Sequence, residues 1–180
     1  MGEITAKVQF ERAGNSPDAW QSVVDSLLFA SQVLTERYDA PDSNSSVVPT
    51  QNSNRTRLGG VELMLRGMAV ECLLKALWLK QGNLLVKAGK FEPVSGAGGH
   101  DLPQLAHAVS LCPTELEIDL LKRLSHFIEY GGRYPIPKAS DKLRLTKNPR
   151  GGRAVATTWL TPSDNQLFDK LVFRLVTLLA

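Results

Sequence analysis

The sequence predicts an all-α fold, an antiparallel helical bundle of four to five helices with one minor β-ribbon. Three observations carry that expectation. Long segments repeat their apolar residues every three to four positions, helix starts carry plain capping signals, and the stretches between them are polar or glycine-rich. A chain of 180 residues suits a single domain spanning 1–180, long enough to bury a core.

The first long helix is expected from about Pro17 to Tyr38. Trp20, Val23, Val24, Leu27, Leu28, Ser31, Leu34 and Tyr38 share one face at helical spacing. Ser16 followed by Pro17 supplies an N-cap and a first-turn proline. Residues 40–57 are rich in Ser, Asn, Pro and Thr, too polar to offset their ordering entropy, and read as a flexible polar loop.

A second helix, about Leu58 to Gln81, is apolar almost all round, with Val61, Met64, Leu65, Met68, Cys72, Leu73, Ala76, Leu77 and Leu79. Such a helix belongs at the centre of a bundle. Its polar residues pair four apart: Glu62 with Arg66, which reads as an exposed ion pair, and Glu71 with Lys75, which interrupts the most apolar stretch. A short helix opens after the glycine-rich run to His100, with Asp101 as N-cap and Gln104 in the capping-box position. Thr114 and Glu117 form a second capping box. The helix they start buries Leu116, Leu120, Leu124, Phe127 and Ile128 and turns Asp119, Lys122, His126 and Glu129 to solvent. Gly131-Gly132 ends it. The last helix starts at Thr161-Pro162 and presents Phe168, Leu171, Val172, Leu175, Leu178 and Leu179 to the core. Ile4–Phe10 and Val155–Leu160 alternate in polarity and are expected to pair as the ribbon.

Composition excludes several classes. No run of about 18 apolar residues points to a membrane span, and the start has no basic-then-apolar signal pattern, so the expected location is cytoplasmic. Ala6 stands where a myristoylation signal wants Ser or Thr. Cys72 and Cys112 lie in no CxxC or zinc spacing and read as free thiols. No Ser-His-Asp arrangement, phosphate-cradling glycine loop or HExxH is present, and no cofactor or metal is expected. Net charge is only +3, but its distribution is uneven. Arg133, Lys138, Lys142, Arg144, Lys147, Arg150 and Arg153 face the single acid Asp141 across 133–153, a net of +6 that leaves the rest near −3. A basic loop of this kind tracks phosphates.

Two sites are singled out by residue type. His100 sits in a glycine-rich turn just before a helix, an accessible setting for the side chain that changes charge near neutral pH. Arg133, between Tyr130 and Tyr134 after paired glycines, is the side chain suited to bidentate phosphate or carboxylate binding, or to tying its loop back to an acid such as Glu71.

Three short motifs in order resemble the HEPN family (higher eukaryote and prokaryote nucleotide-binding): Ala69-Val70-Glu71-Cys72-Leu73-Leu74-Lys75-Ala76-Leu77, then His100-Asp101-Leu102-Pro103-Gln104-Leu105, then Arg133-Tyr134-Pro135. The resemblance implies an antiparallel helical bundle, a homodimer, and convergence of Glu71, Lys75, His100 and Arg133 on one face. The ribonucleases of that family carry an Arg followed four to six residues later by His. Here the nearest approach is Arg123, three residues before His126, so the resemblance implies a binding module for RNA, a nucleotide or a partner protein. The expected ligand contacts are Glu71, Lys75, His100, Arg133, Tyr134, Lys142, Arg144 and Lys147. The alternatives are a toxin-like or phage-defence ribonuclease using His100 and Arg133, and a helical companion of a nucleotidyltransferase encoded nearby.

Overall fold

A computed structural model of the chain describes residues 6–39, 52–94, 96–134, 139–140, 145–147, 153–155 and 162–180. Among them the fold is mostly helical: α1 (Ala6–Gly14), α2 (Pro17–Asp39), α3 (Asn52–Lys80), α4 (Leu102–Ala108), α5 (Glu115–His126) with a π-helical turn at Phe127–Gly131, and α6 (Pro162–Leu179). Two antiparallel hairpins complete it, β1 (Val86–Lys87) with β2 (Lys90–Phe91), and β3 (Leu145–Lys147) with β4 (Arg153–Val155).

The expected ribbon is not formed. Residues 6–10 belong to α1, because Ala, Lys, Gln, Glu and Arg are good helix formers and outweigh a short alternation. Val155 pairs instead with Leu145, and residues 156–160 lie outside the described residues. The polar loop expected over 40–57 does not extend to residue 57. Residues 52–57 are the first turns of α3, since each residue added to a well-packed helix gains a hydrogen bond at little further cost; residues 40–51 lie outside the described residues, as does Thr161 before α6.

α3 packs against α2, α4, α5, α6 and the π turn, and Ala69, Val70, Leu73, Leu74 and Ala76 on it are almost completely buried. Leu102, Leu105, Leu120, Leu124, Leu171 and Leu175 meet them from the surrounding helices. Several expected core residues turn outward. Val23, Met68, Leu116 and Leu178 are exposed, while Val24, Ala69 and Leu179 beside three of them hold inward positions. Leu116 sits in the first turn of α5, where it lines an open surface cleft with Gln166 and Leu167 of α6.

α5 approaches α3 through glycines. A Cβ on Gly67 would stand 2.7 Å from Ile128 Cγ1 and 3.1 Å from the Leu124 carbonyl oxygen, and one on Gly132 would stand 2.5 Å from Met64 Cβ and 2.8 Å from the Gly60 carbonyl oxygen. Gly132 has φ −85°, so it is glycine for this contact and not for a left-handed cap. The chain does not stop at Gly131-Gly132 as a simple helix end; it first widens into the π turn.

Local capping is as expected at three starts. Ser16 Oγ accepts from Ala19 N, Asp101 Oδ1 accepts from Gln104 N, and Thr114 and Glu117 form a reciprocal capping box. Gln104 does not complete a box on Asp101; its Oε1 accepts from Gly98 N at 3.1 Å and closes the glycine-rich turn. The α1–α2 joint is fixed by Asn15, whose Oδ1 accepts from Leu85 N and Val86 N and whose Nδ2 donates to Val86 O.

Glu62 and Arg66 are not an exposed pair. Both side chains are about nine-tenths covered, 2.7 Å apart, with Thr35 Oγ1 donating to Glu62 and Arg66 donating to Ser31 Oγ and Asn165 Oδ1. This polar seam ties α2, α3 and α6 together, and it is possible because every charge in it is paired or hydrogen-bonded.

The cysteines differ in environment. Cys72 is buried, and burial, with the neighbouring Glu71 charge adding to it, pushes its thiol up to about 11 against the opposing effect of Lys75. Cys112 is exposed. Because the thiolate is the nucleophile, iodoacetamide near neutral pH is expected to label Cys112 alone in the native protein and both cysteines in urea. Rapid native labelling of Cys72 would show that α3 is not held closed.

Candidate functional site

Glu71 and Lys75 lie one helical turn apart on α3, and His100 reaches them from the turn that leads into α4. Lys75 Nζ is 2.5 Å from Glu71 Oε1, and His100 Nδ1 is 2.8 Å from Glu71 Oε2. The side chains are 8% exposed for Glu71, 12% for Lys75 and 45% for His100, so a buried ion pair is roofed by an accessible imidazole. An ionised carboxylate can only accept hydrogen bonds, so Nδ1 donates, and a neutral His100 then carries its acceptor on Nε2 at the opposite side of the ring.

Two aromatic rings complete the cluster. Lys75 Nζ lies 5.1 Å from the Trp20 ring centroid and 5.3 Å from that of Phe91, within cation–π range of both. Trp20 comes from the start of α2 and is held by its Nε1 donating to the Gly14 carbonyl at 3.0 Å. Phe91 is the last residue of the β1–β2 hairpin, and nearly half of it is exposed. The two residues of that hairpin's turn, Ala88 and Gly89, both have positive φ, as a tight two-residue connection requires.

Arg133 does not join this cluster. Its Nη2 donates to the carbonyls of Ile128 at 2.7 Å and Glu129 at 3.2 Å, and its guanidinium lies 5.6 Å from the centroid of the exposed Tyr134. The preceding Gly132 rests on Met64, seven residues before Glu71 on α3, a separation of about 10 Å along a helix axis. Arg133 therefore ties the chain to the end of the π turn, neither to Glu71 nor beside His100.

No protein-family model, curated protein or solved structure matches the chain.

The rest of the expected ligand set divides in two. Lys142 and Arg144 lie outside the described residues, as does Pro135 of the Arg-Tyr-Pro motif. Lys147 is the last residue of β3, where it stands opposite Arg153 in the antiparallel register. Two cationic positions of the basic segment thus share one register pair of the β3–β4 ladder.

His126 is a correction. It is buried, with its ring 4.0 Å from that of Tyr130 and 5.2 Å from that of Phe127, both edge-on. The helical wheel puts His126 opposite Leu124, but Tyr130, four residues on and so on the same face, packs onto it. Arg123, three residues earlier, is committed to α6. It pairs with Asp164 through Nη1 and Nη2 and with Asp119 through Nε. Burial pulls this guanidinium down, but the Asp164 hydrogen bonds and charge hold it above its ordinary value. Glu117, beyond its capping role, is buried and faces Arg174 of α6 at 3.1 Å.

Among the described residues no group of three or more His, Cys, Asp and Glu side chains is placed to hold a metal ion, and no helix is long and apolar enough to cross a membrane. Trp20 and Phe91 are the site residues that sequence reasoning missed. Trp20 read as a core residue of its helix, and Phe91 carried no signal, because its partner Lys75 lies on another element.

Proposed function

We propose that this chain is a HEPN-like antiparallel helical bundle that binds single-stranded RNA without cleaving it. The observation that carries the reading is the β3–β4 register. Lys147 opposes Arg153 within a segment, 133–153, that holds seven basic residues and one acid. Seven basic residues against one acid is the density that tracks phosphates, and the register gathers two of those positions at one point of the hairpin. The central place of α3 among α2, α4, α5 and α6 supports the bundle. Binding is favoured over cleavage because Arg133 is held at the π turn. Among the described residues the His100 imidazole pairs with the Glu71 carboxylate and with no arginine that could clamp a scissile phosphate.

The test is retention of a single-stranded RNA by the full chain at low and high salt, for the wild type and for Lys142→Ala/Arg144→Ala/Lys147→Ala together. Wild-type affinity is expected to fall steeply with salt. Loss of three phosphate contacts is expected to reduce the slope of log affinity against log salt by about 2, at about 0.7 per contact. Equal, salt-insensitive binding by both proteins overturns the reading.

A further inference from the structure

The Glu71–Lys75–His100 cluster has the wrong charge for a phosphate. Its one full positive charge, the Lys75 ammonium, is neutralised by Glu71 at 2.5 Å and covered by two rings. A phosphate drawn to Lys75 would meet the Glu71 carboxylate at nearly the same distance. What the cluster offers to a ligand is different: the exposed part of the Phe91 ring, the exposed imidazole of His100, and a floor of compensated charge that fixes both. A flat, uncharged group with a polar edge matches that surface. Stacking on an aromatic ring is available to every base, and Nε2 of His100 can accept from a base N–H.

We infer that Phe91 and His100 form a subsite for one unstacked nucleobase of a single-stranded RNA, with Glu71 and Lys75 as positioning residues beneath it. The inference rests on the RNA-binding reading and deepens it: the hairpin takes the backbone, and this subsite takes a base. Glu71 holds the imidazole by Nδ1 and so presents Nε2, while Lys75 holds both Glu71 and the Phe91 ring. Stacking carries no net charge, so its contribution persists at salt concentrations that screen the hairpin.

The experiment compares two 12-nucleotide probes, oligouridine and an oligomer of the same ribose–phosphate backbone lacking bases. The wild type is expected to bind oligouridine at least about fivefold more tightly, the lower end of what one stacked base contributes. Phe91→Ala is expected to abolish that difference, and Phe91→Trp to keep it. The Lys142/Arg144/Lys147 triple variant is expected to weaken both probes alike and leave the ratio unchanged. Equal wild-type affinity for the two probes overturns the subsite and leaves the hairpin reading standing. So does a ratio that survives Phe91→Ala, or one that Phe91→Trp loses as fully. Binding of neither probe overturns both. Phe91 is nearly half exposed and on a hairpin, so its replacement leaves the core intact, and a matching urea midpoint for the variants confirms that they fold.

Discussion

Gly67→Ala is expected to destabilise the protein by about 1–3 kcal/mol, the cost of forcing an extra methyl into a packed core. The sign is the informative part. In an exposed helix the same exchange stabilises by up to about 1 kcal/mol, because alanine has the higher helix propensity. Gly67 lies within α3, so the propensity gain is present here too. It is outweighed because the new methyl would stand 2.7 Å from Ile128 Cγ1, 2.9 Å from its Cδ1 and 3.1 Å from a backbone oxygen. Ile128 is almost fully buried, and close-packed interiors leave little room for a side chain to yield. Urea unfolding of Gly67→Ala, Ile128→Ala and the double variant gives the coupling directly. The double variant is expected to lose clearly less than the two single losses added, since the added methyl fills part of the cavity left by the isoleucine. Strict additivity would mean that the two residues do not touch.

Glu71→Ala is expected to cost about 3 kcal/mol, because it leaves the Lys75 ammonium buried without its counter-charge. The two aromatic rings over Lys75 return only a part of that loss. Glu71→Gln is expected to cost less, since an amide oxygen still accepts one of the two hydrogen bonds. Glu71→Leu with Lys75→Met is expected to come back close to the wild type, as buried ion pairs replaced by apolar side chains commonly do. All three variants are read against the wild type from urea midpoints at fixed pH. A Glu71→Ala loss below about 0.5 kcal/mol, the size of a surface substitution, would falsify the claim that the pair is buried and coupled.

How much of this was legible depends on how local each cause is. The helix starts at Ser16, Asp101 and Thr114 could be read because a cap is a contact between residues three apart. The apolar pattern of α3 placed it at the centre for the same reason: all-round burial is written in its own residues. The Glu62–Arg66 seam was misread because its partners come from elsewhere. Arg66 bonds to residues 35 and 99 positions away, and periodicity carries no information about them. His126 was misplaced because the wheel marks the face opposite Leu124 as open, whereas the Phe127 and Tyr130 rings cover it. At the site, Glu71, Lys75 and His100 were named together and lie together, while Arg133 was named with them and lies apart. Phe91 was invisible because a two-residue hairpin strand has no period to detect.

The Asn15 side chain has one further effect. An amide that accepts from Leu85 N and Val86 N and donates to Val86 O meets β1 as a neighbouring strand would, with one side chain standing in for a peptide unit. Gly14 beside it lets the α1–α2 joint come this close, since a Cβ there would stand 2.2 Å from a Val86 methyl. The outer edge of β1, on one side of the hairpin that presents Phe91, is therefore already closed. A sheet edge left open is a template on which another chain can add a strand and begin to aggregate. Here the β1 template is covered by the chain's own asparagine, so no copy can add a strand on that side of the hairpin.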